Sequence, residues 1–432
     1  MASFFIPLTG LGADSTALNT VANNLANMNT TAFKSQSTNF SDLFYQQIGT
    51  TGAGDPIAVG AGVKVASNSV SFTQGAINST GNATDVALNG NGFFVIGNGV
   101  GGYEYSRAGD FSMDSNGNLV TSNGLSVMGY PAVNGVVNTN GALVPINIPI
   151  GQVQAPQATT SMAMTANLDA TATTVPPTSF PAQVTVYDSL GEAHTVNVTY
   201  TQASTTAQPN TWNYSIALPA SDYAGAPPAA ITGTMNFDSS GNLTTVTPTG
   251  GAAETVGSAP GDVSSIALNF AGMADGAADL NIQWNLLGAG GTPNVSQVAT
   301  ASSVSATTQD GYPSSQYQDF SIGTDGTVTV TYENGKTQNV GQLALANVAN
   351  LQGLQQLGDG DYSATQASGT ASVGIAGTNG LAALQGGALE GSNVNISNEF
   401  SQLIIAQRAF EANAKSITTF DTVTQDTINM VH

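Results

Sequence analysis

Residues 392–432 read SNVNISNEFSQLIIAQRAFEANAKSITTFDTVTQDTINMVH and contain neither glycine nor proline. At 100° per residue, the apolar side chains of this stretch fall on one side, as in an amphipathic helix. The apolar positions that mark this stripe are Phe400, Leu403, Phe410, Ala414, Ile417 and Ile428. Glu399 also lies within the stripe, and a polar residue on a helical seam lowers stability while it fixes the register. The stretch therefore predicts a long helix with a specific partner.

A second helical stripe lies near the other end of the chain, in residues 8–33. Its apolar positions are Leu11, Leu18, Val21, Leu25 and Met28. Between the two ends the chain is rich in Gly, Thr, Ser and Val, with short alternating runs that are typical of strands. We predict a mainly β protein with terminal α-helices. Either the helices pair, with each other or with other chains, as a coiled-coil-like inner domain from which β domains project outward, or they form one layer of a globular domain.

The charge balance restricts the partners that this chain can bind. Its 432 residues include 6 Lys and Arg against 27 Asp and Glu, for a net charge of −21. Such a chain cannot neutralise a row of phosphates, so nucleic acid and anionic membrane surfaces are poor partners. Self-association has to work against this charge. It should therefore depend on apolar seams and neutral hydrogen bonds, and salt should favour it.

Candidates for catalysis and metal binding are few. Cysteine is absent, which excludes thiol catalysis, disulfides and cysteine zinc sites. The two histidines are His194, within an alternating strand pattern, and His432, the last residue. We therefore expect no histidine-based triad, no metal site and a structural role for His194. A carboxylate pair, as in a glycosidase, stays open, although 2 Trp leave few platforms for sugar. We expect no catalytic residue and no cofactor.

The N-terminus bears on export. Residues 1–10 have no basic region and no long apolar run, so the sequence predicts no cleaved secretory signal. Nothing in the sequence predicts a membrane span either. If the protein lies outside the cell, we expect it to leave by a route that does not cleave an N-terminal leader.

Local turn signals predict several hairpins. Asn89-Gly90 stands between two apolar strand runs, and both residues tolerate positive φ. Three segments each predict strand, turn and strand: FSMDSNGNLVT (111–121), MNFDSSGNLTTV (235–246) and FSIGTDGTVTV (320–330). The first is favoured as a hairpin over a calcium loop, because its Gly117 comes fourth and an EF-hand needs glycine sixth.

The middle of the chain predicts an all-β domain. From about residue 151 to 308 the composition shifts to Thr, Ala and Pro, with alternating runs at 183–187, 194–200 and 213–218. Such runs, joined by long loops, favour a small barrel or sandwich. The predicted core aromatics are Trp212, Phe237, Phe270 and Trp284.

Several runs resemble signatures of the bacterial flagellar rod and hook proteins. Residues 22–27 (ANNLAN) and 29–34 (NTTAFK) resemble the N-terminal signature, which usually carries Gly where Thr31 stands. The other matching runs are 84–96 (TDVALNGNGFFVI), 105–111 (YSRAGDF), 117–120 (GNLV), 307–312 (TTQDGY), 341–347 (GQLALAN), 364–369 (ATQASG), 387–394 (GALEGSNV) and 406–415 (AQRAFEANAK). Their order and spacing also match. The hook members resemble the chain more closely, since distal rod relatives lack an inserted middle domain of this size.

The resemblance implies a structural subunit of the flagellar hook, which self-assembles into a curved, bendable tube and transmits torque from rod to filament. The stripe residues of both termini would then lie at subunit interfaces. The implied partners are other copies of the chain, rod and hook–filament junction proteins, and the hook cap and type III export apparatus during assembly. The implied location is extracellular, in the flagellum, after export without a cleaved signal peptide.

The implied domain plan is nested. Residues 1–30 with 392–432 would form the terminal helical domain, and 31–70 with 371–391 a connector. Residues 71–148 with 309–370 would form an inner β domain around an inserted outer β domain at 149–308. Two alternatives stay open: a distal flagellar rod protein, straight and rigid, and a secreted β-rich hydrolase or adhesin.

Overall fold

The structure, a computed structural model, describes residues 4–51, 55–205 and 210–430. The chain divides into two compact units. The first unit comprises residues 1–150, 318–331 and 337–432, and the second comprises 151–317 and 332–336. The extreme ends of the predicted terminal helices, residues 1–3 and 431–432 with His432, lie outside the described residues. The finer, four-part domain plan stays a prediction.

Two long α-helices stand at the ends of the described chain. They are α1, Phe5–Ala26, and α2, Ile396–Met430. α1 ends at Ala26, so the stretch of residues 8–33 continues beyond the helix into a segment rich in Asn and Thr. The Asn27 side chain donates to the Asn23 carbonyl at 2.9 Å, and Ala32 has a φ of 52°, so the chain turns away from the helical path. Met28 therefore lies beyond α1. Two short 3-10 helices, Ala220–Asp222 and Leu351–Gly353, complete the helical elements of the described residues.

Strands make up most of the remaining described chain. Before residue 151 they are β1 Gln36–Asp42, β2 Gln46–Thr50, β3 Pro56–Val59, β4 Val63–Val70, β5 Ile77–Ser79, β6 Val86–Asn89, β7 Phe93–Gly97, β8 Tyr103–Ser106, β9 Ser112–Met113, β10 Leu119–Val120, β11 Ser126–Val133, β12 Val136–Val137 and β13 Val144–Pro145. Those of the second unit are β14 Val153–Gln154, β15 Ser161–Asp169, β16 Ser179–Tyr187, β17 Ala193–Gln202, β18 Thr211–Ala217, β19 Ile231–Phe237, β20 Leu243–Pro248, β21 Glu254–Thr255, β22 Ser265–Phe270, β23 Leu280–Asn285, β24 Val295–Val298 and β25 Ser303–Gln309. The last are β26 Ser315–Ile322, β27 Thr327–Tyr332, β28 Thr337–Asn347, β29 Gln355–Gly358, β30 Asp361–Ser363, β31 Ser372–Ile375, β32 Ala383–Gly386 and β33 Ala388–Glu390.

The first unit is built around one large sheet with the strand order β26-β27-β28-β11-β7-β8-β30-β29. Its central strand, β7, has the apolar run FFVI, which is buried throughout. A continuous apolar run is typical of a strand that is covered on both faces. β7 pairs antiparallel with β8, β11 and β28.

The hairpin predicted at Asn89-Gly90 is wrong. β6, on one side of this dipeptide, pairs with β32 from the C-terminal part of the chain, while β7, on the other side, belongs to the large sheet. Gly90 and Gly92 have φ values of 120° and 133°, so the chain bends between two sheets rather than folding back on itself. A local turn signal cannot show that both of its flanking strands have distant partners.

The three predicted Asp/Gly hairpins are confirmed. β9 pairs with β10, β19 with β20, and β26 lies beside β27. In the first turn, Asp114 Oδ1 accepts hydrogen bonds from the backbone N–H of Asn116 and of Asn118, each at 2.8 Å. Asp238 and Asp325 accept equivalent backbone bonds in the other two turns. Hydrogen bonds from Asn118 also hold the pKa of Asp114 below its usual value.

The second unit is all β, as predicted, and its two sheets enclose one core. One sheet has the order β16-β17-β18-β19-β20-β21, and the other has β22-β23-β15-β24 with β25 beside β15. Side chains alternate between core and surface along β17. The four predicted core aromatics are all buried. Tyr214 of the first sheet packs edge-on against Trp284 of the second, at 6.2 Å between ring centroids.

Two glycines in turns of the second unit make a matched test of this packing. Gly241 and Gly250 have φ values of 84° and 81°, so alanine is strained by about 1–2 kcal/mol at either position. A Cβ at Gly241 would also meet the carbonyl oxygen of Gln297, whereas at Gly250 it would meet no described atom within 4 Å. We expect Gly241→Ala to lower the free energy of unfolding by about 1–3 kcal/mol more than Gly250→Ala.

The measurement is urea unfolding of the full chain followed by tryptophan fluorescence. Both Trp of the chain, Trp212 and Trp284, lie in the core of the second unit, so the signal reports that unit. Equal losses in the two variants would contradict the contact between Gly241 and Gln297.

Candidate assembly surface

The terminal helices pack against each other as an antiparallel pair. Asn413 of α2 donates a hydrogen bond to Asp14 of α1 at 2.8 Å. Further along, Asn24 donates to Glu399 Oε1 at 3.2 Å. The contacts advance along α1 as they go back along α2, which makes the pair antiparallel. The prediction of paired terminal helices is confirmed.

The seam between the helices is close and partly polar. A Cβ at Gly10 would lie 2.6 Å from the Asn413 amide nitrogen, so a larger residue at this position would displace the Asn413 side chain. Glu399, the polar residue within the predicted stripe, is buried at the other end of the seam. The Asn24 amide that donates to it also exchanges two hydrogen bonds with the Gln36 backbone, at 2.7 and 2.9 Å. Asn24 thus joins α1 to both α2 and β1.

The predicted interface residues divide into two groups in the structure. Those that are buried or half-buried are Leu11, Leu18, Val21, Leu25, Leu403, Phe410, Ala414 and Ile417. Three are more exposed: Met28 at 38%, Phe400 at 52% and Ile428 at 58%. The contribution of either group to contacts between subunits stays a prediction.

Exposed apolar side chains are distributed along α2, and we call this set of residues the α2 outer face. Besides Phe400 and Ile428, it contains four large residues that the stripe did not include: Ile404, Ile405, Val423 and Met430. Phe420 meets Phe4 at 6.1 Å between ring centroids, and the ten residues after Phe420, 421–430, are all exposed. Large apolar surfaces of this kind mark sites of protein interaction.

A buried cluster of charged side chains joins distant parts of the first unit. Glu390 Oε1 contacts Lys34 Nζ at 2.6 Å, and Glu390 Oε2 contacts the Arg107 guanidinium at 3.1 Å. The three side chains are almost completely buried. Lys34 comes shortly after α1, Arg107 follows β8, and Glu390 ends β33 just before α2. The cluster therefore connects the segment after α1 and the segment before α2, which we call the helix approaches, to the strands of the first unit, which we call the β body.

The backbone completes the hydrogen bonds of this cluster. Lys34 donates to the Thr73 carbonyl at 2.9 Å, and Arg107 donates to the carbonyl of Gly90 at 3.0 Å. Glu390 also accepts from the Gly75 N–H at 2.8 Å. Burial lowers the pKa of Lys34 from its usual value, and the hydrogen bond to Glu390 opposes that shift. Sequence analysis did not find the cluster, although each charged member lies in a run that resembles the flagellar family.

A second polar cluster lies in the second unit. His194 Nδ1 lies 3.0 Å from Asp222 Oδ2, and Nε2 lies 3.2 Å from Asp188 Oδ2. Asp275 Oδ2 is 3.9 Å from the same Nε2. Burial by itself opposes protonation of the ring, but the hydrogen bonds with Asp222 and Asp188 outweigh it and raise the pKa of His194. None of these carboxylates was predicted as a partner of His194.

Family models match four parts of the chain. The descriptions are flagella basal body rod protein for residues 8–34, flagellar hook protein FlgE/F/G D1 domain for 87–167, flagellar basal body protein FlaE D2 domain for 159–312, and flagellar basal body rod FlgEFG protein C-terminal for 385–430. With the paired terminal helices and the β units, these matches define a bacterial flagellar protein of the rod and hook class.

Full-length relatives narrow this class. The flagellar hook protein FlgE of Salmonella typhimurium is 34% identical over 99% of this chain and 100% of its own length. That of Treponema pallidum is 33% identical over 100% of this chain and 99% of its own length. The chain belongs to the flagellar hook protein FlgE family. A crystal structure of Helicobacter pylori FlgE2 shares the fold, with a TM-score of 0.50 and 14% identity over 71% of this chain and 99% of that chain.

Family membership decides between the function classes that the sequence left open. The chain is a structural protein of the flagellar hook and not an enzyme, so the secreted hydrolase is excluded. Membership in this family also implies that the chain forms a polymer with flagellar components. Within the described residues, the helices are too short or too polar to cross a membrane.

The buried charge cluster generates a prediction about the first unit. Glu390→Gln keeps the size of the side chain but leaves Lys34 and Arg107 buried without a counter-charge. We expect it to lower the free energy of unfolding by about 3–5 kcal/mol. Glu411→Gln is the control, because the Glu411 side chain is 51% exposed and pairs on the surface with Arg408 at 3.3 Å.

Calorimetric unfolding of the full chain resolves the effect on each unit. The unfolding transition of the second unit, followed by tryptophan fluorescence, should keep its wild-type midpoint. The calorimetric transition of the first unit should move to a lower temperature. The control should stay within about 1 kcal/mol of wild type. A Glu390→Gln protein as stable as that control would show that the cluster does not hold the first unit together.

Proposed function

We propose that this chain is the self-assembling subunit of a curved, bendable tube that transmits torque from the flagellar rod to the filament. The observation that carries the proposal is the α2 outer face. α2 packs against α1, yet Phe400 and Ile428 of the same helical stripe stay 52% and 58% exposed. Apolar area left in water is unfavourable by roughly 25 cal/mol per Å². Neighbouring copies of the same chain would remove this area from water.

The burial of each predicted interface residue decides whether we assign it to contacts within a subunit or to contacts between subunits. The half-buried seam residues would hold α1 and α2 together within a subunit, and this pair would act as one building block. Met28, Phe400 and Ile428 would contact neighbouring copies. Because the chain carries a net charge of −21, contact between copies has to be made by apolar and neutral groups, and screening by salt should favour it.

The proposed mechanics assign different roles to the helices and the second unit. Close packing of long helices can resist twisting, because interdigitated side chains have few alternative arrangements. The second unit has its own core and a surface of mostly uncharged polar groups. Wet, weak contacts between such surfaces can be exchanged as a tube bends during rotation. Torque and bending would thus be handled by different parts of the chain.

The proposed setting follows from family membership. The tube would lie outside the cell, and its ends would meet rod proteins and hook–filament junction proteins. During assembly, subunits would pass through the type III export apparatus without loss of a signal peptide and would add beneath a hook cap. The Salmonella and Treponema relatives, both named flagellar hook proteins, support this setting.

A charge placed on the α2 outer face tests the proposal. Phe400→Asp would bury a carboxylate between copies of a chain that already carries a net charge of −21. Within one chain Phe400 is half exposed, so we expect the melting temperature of the monomer to change little. The yield of pelletable polymer should fall at least tenfold, since each subunit contributes the same unfavourable contact.

Val136→Asp is the matched control, because Val136 is an exposed apolar residue on β12 of the first unit. It should assemble like wild type. Electron microscopy of the wild-type polymer should show curved tubes, whereas straight, rigid ones would contradict the proposed bending. If Phe400→Asp pellets as wild type does, the α2 outer face is not the assembly surface.

A further inference from the structure

The His194 cluster brings ligand atoms from three elements of the second unit together. Asp188 directly follows β16, and His194 lies at the start of β17. Asp275 lies in the loop between β22 and β23. One ligand atom from each of the three lies within 4.8 Å of the other two. β17 and β23 belong to different sheets of the unit. The three side chains therefore converge where the two sheets meet.

The charges at this position are unbalanced. Asp188, Asp222 and Asp275 surround a single imidazole, and the Asp188 side chain is fully buried. The only Lys or Arg in residues 151–317 and 332–336 is Lys336, and its ammonium group lies over the Tyr312 ring, 5.6 Å from the centroid. Even with a protonated imidazole, three carboxylates keep a net negative charge. Carboxylates held this closely favour a further cation.

The fourth residue orients the imidazole. Asp222 Oδ2 lies at hydrogen-bond distance from His194 Nδ1, so in the neutral tautomer with the proton on Nδ1 the ring donates to this carboxylate. This arrangement, with a carboxylate behind a histidine, fixes the tautomer and aims the other nitrogen at a metal ion in many metal sites. When the proton is on Nδ1, the buried Nε2 has no hydrogen to donate and faces the oxygens of Asp188 and Asp275. A metal ion would satisfy all three atoms.

We propose that Asp188, His194 and Asp275 bind a divalent transition-metal ion, with Asp222 as the residue that positions His194. Tetrahedral bonds of about 2.0–2.2 Å place neighbouring ligand atoms about 3.3–3.6 Å apart. The observed separations from Nε2, 3.2 Å to Asp188 and 3.9 Å to Asp275, bracket that value. One nitrogen and two carboxylate oxygens suit Zn²⁺ among the common ions. The Asp275 side chain is 20% exposed, which leaves a path from solvent.

Such an ion would act as a structural link. It would tie the β16–β17 turn of one sheet to the β22–β23 loop of the other, and the stability that the second unit gains would rise with the logarithm of the ratio of free ion to Kd. The proposal replaces the expectation of no metal site. It is independent of the polymerisation proposal, because it concerns the second unit alone.

The test uses the full chain, freed of metal with a chelator, and Zn²⁺ as the probe. We expect calorimetric titration at 150 mM salt to show one saturable site per chain, and Zn²⁺ to raise the midpoint of the tryptophan-monitored unfolding transition. Asp275→Asn and His194→Gln should each weaken Zn²⁺ binding at least tenfold. Asp222→Asn should weaken it about 10–100-fold, as expected for a residue behind the ligand.

Asp279→Asn is the matched control. Asp279 is an exposed carboxylate in the same β22–β23 loop, and it is not among the proposed ligands. It should bind Zn²⁺ like wild type. A folded wild-type chain with no saturable site at millimolar Zn²⁺ would overturn the proposal. So would Asp275→Asn binding as tightly as Asp279→Asn, which would leave the cluster as an imidazolium held between carboxylates.

Discussion

The arrangement of the first unit depends on one buried carboxylate. Glu390 is the shared acceptor for Lys34 and Arg107, so its removal would leave two cations without a counter-charge in a low-dielectric interior. Two of the six basic residues of the chain are used at this one place. Lys34 and Glu390 lie next to the inner ends of α1 and α2, so the same interaction that closes the β body also determines where both helices leave it.

Neutral hydrogen bonds continue this role along the two helix approaches. Asn393, just before α2, accepts from the Ser35 N–H at 2.7 Å and donates to the Ser71 carbonyl at 2.8 Å. Asn24 does the same for Gln36 from within α1. An amide side chain can both donate and accept, so it can replace a missing backbone partner without adding charge. That chemistry suits a strongly acidic chain, in which further ion pairs have few cations available.

The two units divide the properties of the protein between them. The first unit contains the helix pair, the charge cluster and the exposed apolar face of α2, and so it holds everything that the proposed assembly needs. The second unit has its own aromatic core around Trp212 and Trp284, and its polar cluster at His194 lies apart from the α2 outer face in the sequence. A change in either unit should therefore have local effects, which makes the functions of the units separable by mutation.

The sequence alone determined the features that depend on local periodicity. Helical stripes predicted both terminal helices and their pairing, alternation predicted β16, β17 and β18, and Asp/Gly segments predicted three hairpins, because each signal lies within a few residues of its effect. The resemblance of short runs to flagellar proteins likewise indicated the family. Neighbouring residues contain that information.

Only the tertiary structure decided which distant residues meet. Asn89-Gly90 had every local sign of a hairpin, yet β6 pairs with β32 and β7 with the large sheet, because burial against distant strands outweighs a turn preference. The partners of Glu390 and of His194 were equally invisible, since a carboxylate 356 residues from Lys34 has no periodic relation to it. Ion pairing depends on distance in space and on exclusion of water, and both arise only once the chain has folded.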